Sequence, residues 1–174
     1  SKRRTWRKLH IGVDEGTGDI LLGEVTGNDM ADCEMLAPLL NQLPKRQPIA
    51  QVSADGAFDK RICYETLNTR NVSRIAIPPQ HNAKIWRHGN TQAQRLARDE
   101  NLRRIRKVGR KQWKIESAYH RRSLSETAMF RLKTIFGEKI SARTFANQRT
   151  QLLIRCQALN LMTALGMPDS YVVA

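Results

Sequence analysis

Two short apolar runs open the chain. Residues 9–14 and 19–26 flank Glu15-Gly16-Thr17-Gly18, a spacing that predicts a β-hairpin with a glycine-containing loop. Residues 31–43 then place Cys33, Leu36, Leu39, Leu40 and Leu43 at helical intervals, and Pro38 predicts a kink or a helix start. Residues 49–54 read as a buried strand ending at Ala54-Asp55-Gly56. A helix over 59–69 and a short strand over 74–77 follow, the latter stopped by Pro78-Pro79. Two long helices close the chain, at about 117–136 and 144–165, with Gly137 as the stop between them. The order is β-β-α-β-α-β, a basic insertion, then α-α. It predicts an α/β fold with a mixed sheet covered by helices.

On the first closing helix, Tyr119, Arg122, Glu126 and Lys133 fall within roughly 60° of one another, at about 100° per residue. Leu124, Ala128, Leu132 and Ile135 share the opposite face, the one expected to be buried. A carboxylate between two cations and a phenol, on a helix anchored from behind, can hold a metal among groups that grip phosphate. The plainer alternative is a solvated face with an Arg122–Glu126 ion pair one turn apart.

Charge changes the weighting. The chain has 174 residues and a net charge of +14. Residues 1–10 carry five Lys/Arg and no acid, and residues 81–115 carry eleven Lys/Arg against two acids. These two segments account for the whole net charge, leaving a neutral body with two concentrated cationic stretches. That is the electrostatic footprint of a nucleic-acid binder. Neither stretch has a clear amphipathic apolar face, which disfavours a membrane surface. Arg103, Arg104, Arg106 and Lys107 are the densest cationic group and the expected DNA contacts. Cys33, Cys63 and Cys156 are odd in number and contain no C-x-x-C, so reduced core thiols in a cytoplasmic protein are expected.

Asp55, at a strand end before Gly56, is the second carboxylate of interest, although Asp-Gly alone is an ordinary turn signal. Mg²⁺ is held by few carboxylates and keeps positions open for water and phosphate, and paired ions serve phosphoryl transfer. Other groups are weaker. His81, Asn82 and His88 lack a second ligand cluster, His10 and His120 lack a partner pattern, and Trp86 and Trp113 fit packing better than base stacking.

The segments RRTWRKLHIGVD, VSADGAFDKRICYETL, IAIPPQHNA and AYHRRSLSETAMFRLKTIFG, closed by ALNLMTALGMP, resemble an insertion-sequence transposase of the DDE class. The resemblance covers essentially the whole chain. It implies a ribonuclease-H-like mixed sheet with flanking helices, and makes residues 1–174 a partial catalytic domain with an insertion at about 81–115. It also implies metal-dependent strand cleavage and strand transfer at element ends. Asp55 becomes the second acid and Glu126 the third, both ligands of Mg²⁺ or, as an alternative, Mn²⁺. Tyr119, Arg122 and Lys133 match the signature positions that contact phosphates of double-stranded DNA at transposon ends and target. The implied setting is bacterial and nucleoid-associated, with room for a homo-oligomer on DNA and no membrane partner. The two carboxylates are expected within about 8 Å of one another. The family's first acid has no match here, since Asp14 aligns with a hairpin strand end. That acid and its central strand are expected upstream of Ser1, leaving this chain inactive alone. A non-catalytic DNA-binding remnant is the alternative.

Overall fold

The computed structural model describes residues 6–87 and 95–166. They gather in two compact units, one drawn from the described parts of Ser1–Asp29 and Leu124–Ala174, the other from Met30–Ser123. Ser1 to Thr5 of the basic opening, and His88, lie outside the described residues.

In the first unit the expected hairpin is present. β1 (Lys8–Val13) and β2 (Ile20–Thr26) pair antiparallel, from Lys8 opposite Thr26 to Val13 opposite Ile20. Asp14 closes the loop. Its Oδ1 accepts from Gly16 N and Thr17 N, both at 2.9 Å, and Gly18 takes a φ of 77° that suits glycine. Against the hairpin lie α5 (Ser123–Phe136) and α6 (Phe145–Ala164). Gly137, at φ 70°, ends α5, and the Thr144 hydroxyl caps α6 by accepting from Asn147 N at 3.3 Å. Ile20, Ala128, Leu132, Cys156 and Leu159 form the core, with Leu9, Ile11, Val13 and Phe136 packed on it. Ile135 departs from expectation: it is 43% exposed, so the buried stripe of α5 is narrower than the apolar pattern implied.

Two side chains of α6 staple it to β2. Asn160 behaves as a surrogate strand: its Oδ1 accepts from Ile20 N at 2.8 Å and its Nδ2 donates to Ile20 O at 2.9 Å. Asn160→Ala should leave both backbone groups of a buried residue unsatisfied and cost about 1–3 kcal/mol, read as a lowered denaturation midpoint. Arg149 grips Glu24 with two bonds, at 2.6 and 2.8 Å. That hydrogen bonding holds the Glu24 carboxyl below its ordinary 4.5. A depressed acid contributes stability above its unfolded value and loses it as pH falls through the folded one. Glu24→Gln should therefore be less stable near neutrality by about 0.5–1 kcal/mol, discounted for exposure, and the difference should vanish in acid.

The second unit begins with a 3-10 turn at Asp32–Met35 running into α1 (Leu36–Leu40), so the expected helix is shorter than its apolar spacing and carries Pro38 near its start. β3 (Gln51–Ser53) and β4 (Arg74–Ala76) pair in parallel, with α2 (Arg61–Thr69) as the crossover helix. The mixed α/β character holds, but the described strands form two separate two-stranded sheets, one antiparallel and one parallel. Cys63 and Cys156 are buried free thiols, and burial pushes both up to about 11, well away from reactive thiolate chemistry.

From Ala97 onward the basic segment is helical, which its sequence pattern did not disclose. α3 (Ala97–Val108) and α4 (Arg110–Glu116) meet at Gly109, whose φ is 84°. Trp113, 2% exposed, packs with Ala76 and Tyr119, and its Nε1 donates to Asn101 Oδ1 at 3.2 Å. Asn101 in turn donates to Ile75 O at 2.8 Å, tying α3 to β4.

Candidate active site

Asp55 stands just beyond β3. The parallel pairing runs one residue past the strand, through Ala54 N to Ala76 O at 3.3 Å, and the chain then turns. Asp55 is extended (φ −78°, ψ 178°) and caps a single 3-10 turn, Gly56–Phe58, its Oδ1 accepting from Ala57 N at 2.8 Å. The side chain is exposed, and among the described residues its second oxygen accepts no hydrogen bond. Gly56 is not there for a left-handed conformation, since it is absent from the positive-φ glycines among the described residues. A Cβ added to it would sit 3.5 Å from Pro78 O, an ordinary contact. One free oxygen on a backbone-clamped carboxylate suits a ligand to a hard divalent cation.

Four residues on, Asp59 is the opposite case. It is 6% exposed and both oxygens are engaged: Oδ1 by Arg98 Nε at 2.7 Å and Tyr64 Oη at 3.3 Å, Oδ2 by Arg98 Nη2 at 3.3 Å and Gln80 N at 3.1 Å. Arg98, 3% exposed, also donates from Nη1 to Lys84 O at 2.8 Å and lies 3.8 Å from the centre of the Trp86 ring. Asp99, 1% exposed, accepts from Trp86 N at 2.9 Å and Arg87 N at 2.8 Å. Burial and then the Asp59 carboxylate push the Tyr64 hydroxyl upward, so it remains a proton donor. Trp86 and Trp113 are therefore packing anchors. Sequence reasoning missed this network, because nothing in the spacing pairs Asp59 with an arginine 39 residues away.

The four cations chosen as DNA contacts all lie on α3. Arg103 donates to Glu100 at 2.6 Å, Arg104 grips Glu116 at 2.7 and 2.8 Å, and Arg106 donates to Ala83 O at 3.3 Å. Lys107 is exposed and makes no hydrogen bond or ion pair among the described residues.

The helix expected to carry Tyr119, Arg122, Glu126 and Lys133 needs correction at its start. A continuous helix from about 117 does not form. α4 ends at Glu116, Ala118 takes a left-handed φ of 52°, Tyr119–Arg122 is a 3-10 turn, and α5 starts only at Ser123. The left-handed residue precedes all four side chains: Tyr119 and Arg122 lie on the 3-10 turn that leads directly into α5, and Glu126 and Lys133 lie on α5 itself. Tyr119 is 9% exposed with its ring centre 5.8 Å from that of Trp113, and the Arg122 guanidinium lies 5.6 Å from the Tyr119 ring centre. Glu126 is exposed on the first turn of α5, and Lys133 further along lies 3.2 Å from Glu138. Asp55, Tyr119 and Arg122 belong to one unit, Glu126 and Lys133 to the other. Among the described residues, no three His, Cys, Asp or Glu side chains gather as a metal site.

No solved structure matches the chain. The family model described as the transposase DDE domain matches residues 1–161. With nearly the whole sequence inside that match, the chain belongs to the DDE transposase family.

Proposed function

We propose that this chain contributes the second and third acids, Asp55 and Glu126, to a ribonuclease-H-like DDE active site for strand cleavage and strand transfer at insertion-sequence ends. The observation that carries the reading is the Asp55 turn: an exposed strand-end carboxylate with one oxygen clamped by Ala57 N and the other open. A Mg²⁺ or Mn²⁺ ion held by Asp55 and Glu126 would supply Lewis-acid polarisation of phosphate oxygens. Arg122 and Lys133 grip DNA phosphates near the glutamate, and the Tyr119 ring supports Arg122. The cations of α3 hold the duplex through its backbone, and water and then a DNA 3′-hydroxyl serve as nucleophiles.

One observation favours the second reading, a DNA-binding remnant, for these residues taken alone. Asp14, the other strand-end acid considered, has one oxygen engaged by Gly16 N and Thr17 N, and it stands at the end of a hairpin strand, which in the family resemblance is not the place of the first acid. On this reading the first acid would come from outside these 174 residues, on a strand that would enlarge the small sheets. A two-stranded sheet is marginal by itself. Nicking of a supercoiled plasmid carrying the element ends tests this. The 174 residues alone should bind but not nick, and the chain extended upstream through an Asp-bearing strand should nick with Mg²⁺. Metal-dependent nicking by the short chain, abolished by Asp14→Asn, would make Asp14 the first acid and overturn the reading.

A further inference from the structure

The turn that carries Asp55 is exposed at one end and deeply anchored at the other. Phe58 N donates to Asp55 O at 3.1 Å and Asp59 N to Gly56 O at 3.2 Å, so one short hydrogen-bonded turn joins the two aspartates. The free end holds a carboxylate with an open oxygen. At the buried end, both Asp59 oxygens are taken by Arg98, Tyr64 and Gln80. Asp59 thus has no oxygen to offer a metal, although it lies four residues from one proposed to bind it. Arg98 belongs to α3, the same helix that presents Arg103, Arg104, Arg106 and Lys107.

We infer that the Asp59–Arg98 fork is a positioning link that fixes the Asp55 turn to the DNA-facing helix α3. The inference rests on the reading of Asp55 as a metal-holding acid. A two-pronged guanidinium–carboxylate pair sets angle as well as distance, which a single bond from lysine cannot do. Tyr64 Oη and Gln80 N fill the remaining lone pairs, so the carboxylate has one arrangement. Residues 80–87 are held by the same group of side chains, through Gln80 N and Lys84 O and through Asp99 to the amides of Trp86 and Arg87. DNA seated on α3 would therefore meet an Asp55 whose place is set by that helix, and misplacement by about 1 Å costs such chemistry about 100-fold.

The test compares Asp55→Asn, Asp59→Asn and Arg98→Lys in the transposase extended through its first acid, with single-turnover cleavage and duplex affinity measured separately. Asp59→Asn should cut cleavage about 100-fold with affinity within about twofold, and Arg98→Lys should fall between it and the parent. The Mn²⁺ concentration for half-maximal cleavage should rise in both, a change that general loss of stability would not produce. Amide exchange in the 174-residue chain gives a readout independent of activity: Ala57 and Gln80 should exchange faster in Asp59→Asn while Leu67 does not. Should Asp59→Asn fail to fold, pairing it with Arg98→Met removes the unpaired buried charge. That double variant should fold and still lose cleavage. Cleavage lost in Asp55→Asn but parental in Asp59→Asn, or in the paired variant, overturns the link. Cleavage that survives Asp55→Asn removes instead the reading beneath it, and unchanged Ala57 exchange would then overturn the link as well.

Discussion

Replacing Arg103, Arg104, Arg106 and Lys107 together by glutamine should weaken duplex binding by about 100-fold at low salt and flatten the slope of log K against log salt by about 3. Each cation that meets a phosphate releases condensed counterions, so the loss should appear in affinity and salt slope together, whatever the DNA sequence. The four positions should not contribute equally. Arg104 is already held by Glu116, whose hydrogen bonds hold that acid below and Arg104 above their ordinary ranges. Arg103 is similarly engaged by Glu100. A phosphate must compete with these carboxylates, whereas Lys107 faces no such competition among the described residues. Lys107→Gln should therefore cost more affinity than Arg104→Gln. A fluorescence anisotropy titration at several salt concentrations reads both quantities. Binding unchanged in the fourfold variant would place the DNA elsewhere than on α3.

Asp55→Asn and Glu126→Gln should each reduce strand cleavage by about 1000-fold or more while leaving DNA affinity within about twofold. Both replacements keep shape and remove one negative charge. An amide still accepts a hydrogen bond through its carbonyl, so Asn at 55 can keep the cap on Ala57 N and the turn should persist. What is lost is the anionic oxygen that draws a divalent cation. Glu126 is exposed on the first turn of α5, where its replacement disturbs no buried packing. A parallel melting curve should show both variants within about 0.5 kcal/mol of the parent, separating lost chemistry from lost fold.

The hairpin, the strands that become β3 and β4 and the helix between them were legible in the sequence. Each depends on local alternation or helical spacing bounded by Gly, Pro or Asp, and those signals act within a few residues. The α-helical start expected at about 117 was not, because Ala118 takes a left-handed conformation that no propensity announces and Tyr119–Arg122 winds as a 3-10 turn before α5. α3 was hidden for another reason. Its buried face combines Leu102 with Arg98 and Asp99, so charges occupy positions where a helical pattern calls for apolar residues. Those charges are buried because Asp59 and the amides of Trp86 and Arg87 meet them, contacts that exist only in the folded chain. The site divides in the same way. Asp55 and Glu126 are candidates from their setting and from family resemblance, whereas the anchor of the Asp55 turn is visible only in three dimensions.

The most direct test of the two acids as one catalytic unit is the single-turnover cleavage rate of the Asp55→Asn/Glu126→Gln double variant, set beside each single variant in the upstream-extended transposase. Groups that act together are strongly non-additive when removed. The expected result is a double variant no slower than the slower single variant, within about threefold, with DNA binding intact. Losses that multiply, or near-parental cleavage by either single variant, would contradict the assignment of Asp55 and Glu126 as partners in the reaction.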